Sequence, residues 1–389
     1  MRKTCSLSRL ASILAAATLL TACSIGPDSV RAGASQQPTA SGGVMTLPLN
    51  SLRGLDAFTA DLAAKRVVFV GETHDRLEHH LNQLEVLQKL HTIHPRIAIG
   101  VEWFQQPFQN VLDDYIAGRI DEAELIRRSE YYDRWRFDYR LYRPILDYAR
   151  KHAIPVIALN LEAEITRTVG REGFDALDAD QRARIPPESE IDRNDDAYRE
   201  RLRQVFDQHP MKGRSFENFE NVQLLWDEGM ASRAAKFLNN HPDHTLVVFA
   251  GSGHIAYGDG IPKRVARRTG ADFAIVLSSN DDRPDPQAAD YLLFADPKPL
   301  PASGRLGVYL ENADEGVIMK GFADQSGAKD AGLEEGDLIV GLDDSLVKSY
   351  ADVKIHLQDK SPGDTVLVKV KRKNWLSQMK EHEAQVVLR

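Results

Sequence analysis

The chain has 389 residues, 42% hydrophobic and 27% charged, with a formal net charge of −8 at pH 7 and two cysteines. An acidic balance of this size argues against nucleic acid as a partner, and so few cysteines exclude a disulfide scaffold. Stability must therefore come from buried core.

Residues 1–22 read as a secretory signal. Arg2, Lys3 and Arg9 precede the apolar stretch Leu10–Leu20, and the small residues Thr21 and Ala22 follow it. That stretch is too short to span a bilayer. Leu20-Thr-Ala-Cys23 resembles a lipobox, in which a diacylglycerol thioether is placed on the cysteine before cleavage ahead of it. Ser24, rather than Asp, implies the outer membrane in that resemblance. Cys5 leaves with the signal and Cys23 takes the lipid, so no thiol remains for a disulfide, a metal or redox chemistry. The expected location is a lipid tether on a membrane, facing the periplasm. Residues 23–45 are rich in Ser, Gly, Ala, Gln and Pro without apolar periodicity, the composition of a solvated linker.

The remaining chain, roughly 340 residues, exceeds what one core usually holds. Between about 46 and 281, short apolar runs alternate with helical patterns: Val67–Val70, Ile97–Val101, Val156–Leu159, Thr245–Phe249 and Phe273–Leu277. Continuous apolar runs are what strands buried on both faces require, so the fold class is α/β with a mainly parallel sheet flanked by helices. Leu77, Leu81, Leu84, Leu87 and Leu90 lie at helical spacing, as do Val222, Leu225, Trp226 and Met230. A Pro-rich stretch over 282–302, holding Pro284, Pro286, Pro297, Pro299 and Pro301, reads as a strand-poor linker to a second domain at 303–389.

Two of the five runs end in Gly-x-x-His: Gly71-Glu-Thr-His74 and Gly251-Ser-Gly-His254. Carboxyl ends of parallel strands share one edge, where ligand crevices form. The glycines permit a tight exit turn, with positive φ if needed. A third run adds Glu102 and a fourth Asn160. His74, Glu102 and His254 are thus candidates to ligate Zn²⁺, Fe²⁺ or Mn²⁺, or to perform general acid/base work. The plainer alternatives are that His74 bonds a loop carbonyl and Glu102 caps a helix near Gln105. His79, His80, His91 and His94 read as solvated surface, and His241 and His244 as structural. From Tyr131 to Arg143 aromatics alternate with arginines, a pattern able to clamp a flat anionic ligand or to form a capping loop with core aromatics.

Val70-Gly-Glu-Thr-His-Asp75, Gly100–Phe104, Tyr142–Ala149, Val156–Asn160, Gln223–Ala231 and Gly251–His254, in this order over about residues 46–280, resemble the ChaN family of haem-binding uptake lipoproteins, within the Tiki and erythromycin-esterase-like superfamily. The resemblance implies an iron-regulated lipoprotein that binds haem, with relatives using the positions of His74, Glu102 and His254 for metal-dependent hydrolysis. It also implies a tyrosine on the haem iron and makes a homodimer natural. The stretch His209–Phe219, where that tyrosine would be sought, contains none. His209, Met211 or a tyrosine among Tyr131, Tyr132, Tyr139 and Tyr142 would then take its place.

Residues 304–389 resemble a PDZ domain of the bacterial protease type, a small barrel-like β domain. Leu306-Gly307-Val308-Tyr309 is the carboxylate-binding loop and first groove strand, Gly327–Ile339 the core motif, and Tyr350–Gln358 the helix of the other wall. Val308 and Leu310 on the strand, with Val353 and Leu357 on the helix, would line a pocket for the C-terminal peptide of a periplasmic or membrane protein. Three functions are expected to compete: a haem carrier recruited by its PDZ module, a metal-dependent hydrolase or peptidase using His74, Glu102 and His254, and a non-catalytic adaptor.

Overall fold

The computed structural model describes residues 49–208, 215–278, 285–373 and 378–389. The signal, Cys23, the linker before residue 46, His209 and Met211 lie outside them.

The first sheet holds β1 (Val67–Glu72), β2 (Ile97–Gln105), β3 (Val156–Asn160), β4 (Thr245–Gly251), β5 (Phe273–Ser278) and β6 (Tyr291–Leu293). Its order is β3-β2-β4-β1-β5-β6, and every pairing is parallel. All five expected strands form, each extended by one to four residues beyond its apolar run. The sixth lies within the Pro-rich stretch expected to be strand-poor: Tyr291, Leu292 and Leu293 pair with the end of β5, past the clustered prolines that would have broken a strand.

Side chains alternate across this sheet. Val68, Val70, Ile99, Val101, Val247 and Phe249 face one core, whereas Val67, Phe69, Ala98, Leu246, Val248 and Ala250 face the other. Helices cover both faces: α1 (Leu77–Ile93), α2 (Glu122–Arg128), α3 (Tyr131–Arg134), α4 (Asp196–Gln208), α5 (Phe216–Asn240) and α6 (Ile261–Thr269). Ser215 starts α5 by accepting the backbone N–H of Asn218, which satisfies one of the donors a helix start leaves open. Among the described residues no helix is long and apolar enough to cross a membrane.

The second sheet is antiparallel and contains β7 (Val308–Ala313), β8 (Gly316–Phe322), β9 (Leu338–Leu342), β10 (Ser345–Leu346), β11 (Thr365–Lys373) and β12 (Met379–Val387). Its order is β12-β11-β9-β8-β7, with β10 on β9, so β7 is an edge strand. The helix α7 (Tyr350–Leu357) begins in a capping box made by Ser349 and Asp352. Val353 and Leu357 enter the core of this small domain, together with Leu306, Val317, Ile339 and Val368. Ala351 of the same helix belongs to the core of the first domain, and Tyr350 and Ile355 pack against it.

Candidate functional site

The strand order makes β2, β4 and β1 consecutive neighbours, so residues far apart in sequence meet at one sheet edge. Glu72 pairs in register with Gly251 across β1 and β4. His74, Glu102 and His254 are brought together there, and all three are buried.

Each histidine is held by its own carboxylate. His74 Nδ1 lies 2.6 Å from Glu72 Oε1, and His80 Nε2 lies 2.9 Å from Glu72 Oε2. His254 Nδ1 lies 2.7 Å from Asp227 Oδ1, whose other oxygen accepts the Tyr198 hydroxyl at 2.6 Å. A carboxylate only accepts, so both Nδ1 atoms carry the proton. Glu102 stands between the rings. It accepts the Gly251 N–H at 2.7 Å, and its other oxygen is 3.6 Å from His254 Nε2.

Burial pushes the Glu72 carboxyl up, but the imidazoles of His80 and His74 outweigh it and hold it down at about 2. Glu72 is thus an anion shared by two rings. Trp135 and Phe137 cover His74, each with its ring centre 4.9 Å from the imidazole. Tyr142 packs on His80 at 4.4 Å and donates its hydroxyl to the His74 carbonyl.

Neither Gly71 nor Gly251 uses a positive φ; both lie within their strands. Their requirement is close approach. A Cβ on Gly251 would come 2.9 Å from the His74 ring, and one on Gly71 would come 2.4 Å from Leu277.

His79 and His80 are buried rather than solvated, because α1 turns its polar residues inward at this end. His79 accepts the Thr73 N–H, and Gln83 donates to the Val70 carbonyl. Burial depresses the His79 pKa. His91 and His94 are partly buried and bond Tyr148 and the Ala63 carbonyl. Glu72, His80 and Asp227 are thus residues of the site to which the sequence reading gave no role. The signal for His80 was a polar stripe, His80 and Gln83, at helical spacing with the buried Leu87 and Leu90. Beside Asp227, the fully buried Glu228 receives Arg264, Arg267 and Arg268 at 2.7–3.0 Å and ties α5 to α6.

Among the described residues, no three His, Cys, Asp or Glu side chains are arranged to hold a metal ion. The divalent metal expected at His74, Glu102 and His254 therefore finds no support.

Tyr131, Tyr132, Tyr139 and Tyr142 are all buried, in an aromatic cluster with Phe104, Trp103 and Trp135. Burial raises the pKa of all four phenols. Among the described residues the hydroxyls of Tyr131 and Tyr139 find no hydrogen-bond partner. Buried polar atoms of this kind ordinarily have partners, so a set of orphans marks a place that an occupant or a rearrangement would complete.

In the second domain, Leu306, Val353 and Leu357 are buried at the base of the space between β7 and α7. Val308 and Leu310 are half-buried on the strand. Gly307 has φ +75, and a Cβ there would meet the Gln325 carbonyl at 2.5 Å, so this loop requires glycine.

Comparison with known proteins agrees with this division. Residues 58–265 match the family described as haem-binding uptake, Tiki superfamily, ChaN, and residues 304–381 match the PDZ domain family. The solved ChaN of Campylobacter jejuni, described as showing cofacial heme binding, is 16% identical; the likeness covers 62% of this chain and 91% of that one, with a TM-score of 0.50. A PDZ domain of a carboxy-terminal protease from Vibrio cholerae, solved with a peptide, is 22% identical over 22% of this chain and 92% of that one, with a TM-score of 0.19. Among curated proteins, the chloroplastic protein RETICULATA-RELATED 5 of Arabidopsis thaliana is 22% identical over 260 residues, 60% of this chain. The match spans about a third of that relative's length, 34%.

Proposed function

This chain belongs to the ChaN family of haem-binding uptake proteins in the Tiki superfamily, and from that membership we propose that it carries haem as cargo, with its PDZ domain holding it on a partner's C-terminus. The observation that supports this most is the aromatic and cationic segment 131–142 lying against His74. Its chemistry suits haem: Trp135 and Phe137 offer flat faces, Arg134, Arg136 and Arg140 suit carboxylates, and the orphaned phenols and nearby imidazoles are donors for iron. The axial ligand is proposed among Tyr131, Tyr132, Tyr142, His209 and Met211. Because the tyrosines are buried, their use requires the segment to swing outward.

The test is an absorbance titration of haem into the soluble chain beginning at Ser24. A saturable Soret shift at about one or a few equivalents supports the carrier, and Trp135→Ala should weaken it. No saturable shift would sink the reading.

A second reading, hydrolysis, is favoured by the two carboxylate-held imidazoles meeting Glu102. In it His74 and His254 exchange protons with substrate or water, Glu72 and Asp227 fix their tautomers, and Glu102 serves as base. Turnover of an activated ester that vanishes in a folded His74→Ala variant would move this reading to first place.

We also place the protein on the outer membrane through a lipid on Cys23, facing the periplasm, and as a homodimer when loaded. Incorporation of radiolabelled palmitate that is lost in Cys23→Ala, and sedimentation with and without haem, check these two points.

A further inference from the structure

The groove helix of the PDZ domain packs against the α/β domain. Tyr132 of α3 sits against Tyr350 with ring centres 6.1 Å apart, and the Lys354 ammonium lies over the Tyr132 ring at 5.4 Å. Polar contacts bracket this packing. Arg127 bonds Asp352 at 2.6 Å, Arg143 bonds Asp359 at 2.6 Å, Gln358 donates to Glu122, and Arg140 donates to the Pro301 carbonyl just before the carboxylate-binding loop.

Tyr350, Lys354 and Leu357 lie one turn apart along α7, and the Tyr350 backbone N–H donates to the Asn312 side-chain oxygen of β7. Cations dominate this rim. Lys354 feels Arg305 and Arg140 as well as Asp138, and Tyr350 feels Arg305 and Arg136. Asp138, the acid beside them, is paired with Arg140 at 2.8 Å. Arg136 is exposed and held at φ +71, a conformation that non-glycine residues adopt rarely and that concentrates at functional places.

We propose that the peptide groove is a composite of both domains. The strand β7, Leu306 and Leu357 take an apolar C-terminal residue, while Lys354 and Arg305, with Arg136 contributed by the α/β domain, take acidic side chains upstream of it. The partner is a protein whose C-terminus is apolar at the last residue and acidic just before it. This rests on the PDZ reading above and adds the second domain as a wall of the groove.

The test uses the full chain from Ser24 and three fluorescein-labelled peptides ending in valine: one with glutamates before it, one with lysines in their place, and the glutamate peptide with its C-terminus amidated. Fluorescence anisotropy should show the acidic peptide binding at least about tenfold more tightly than the basic one, with the preference falling as salt rises. Arg136→Ala should weaken the acidic peptide about three- to tenfold and leave the basic one unchanged. Lys354→Ala should do the same, and circular dichroism would confirm that both variants remain folded. Equal affinity for the acidic and basic peptides, or no effect of Arg136→Ala, would overturn the composite groove while leaving an ordinary PDZ groove standing. If the acidic and amidated peptides bind alike, or no peptide binds, the PDZ reading itself fails, and the composite with it.

Discussion

Glu72 is a buried anion whose stability depends on two imidazoles. Its folded pKa of about 2 lies below the ordinary 4.5. Its contribution is therefore complete above about pH 4.5 and is lost as pH falls from there toward 2, about 3 kcal/mol in all. Glu72→Gln should remove a similar amount at pH 7 and flatten the loss of stability below pH 4.5, which urea unfolding at several pH values measures. Gly251→Ala should cost about 1–3 kcal/mol by driving a methyl into the His74 ring, seen as a lowered Tm. At this scale the sequence was partly legible. His74, Glu102 and His254 could be found because strand ends share an edge and a chemically able residue stood at each. Glu72, His80 and Asp227 were not, because an acid within a strand or a histidine on a helix resembles a solvated residue until its partner across the fold is known.

At the scale of elements, five strands were legible because burial on both faces demands continuous apolar runs, and their order followed from no local signal. β6 was missed because three residues beside clustered prolines carry too little pattern. In α5, Asp227 and Glu228 are adjacent but point to different tasks: one orients His254, the other gathers three arginines. Glu228→Gln should cost about 3 kcal/mol or more, since it leaves the buried Arg264 and the half-buried Arg268 short of their counter-charge. Thermal unfolding followed by circular dichroism gives the number. Asp227→Asn should cost less stability and act instead on His254, because the amide can donate where the carboxylate only accepted. The one-proton NMR signal of the His254 Nδ1–H, present in the parent and shifted or lost in the variant, reports this.

For the whole molecule, the two domains meet through α7, whose residues enter both cores. Unfolding should therefore be one cooperative transition, and Arg127→Ala combined with Arg143→Ala should separate it into two in calorimetry. That contact had no sequence signature, since Asp352 and Asp359 read as ordinary surface acids on a small domain expected to stand apart behind a linker. A helix that must satisfy two neighbours at once cannot be exchanged as a cassette. Grafting another PDZ domain onto this chain would bring a helix fitted to one core alone, and would leave Tyr132 facing water.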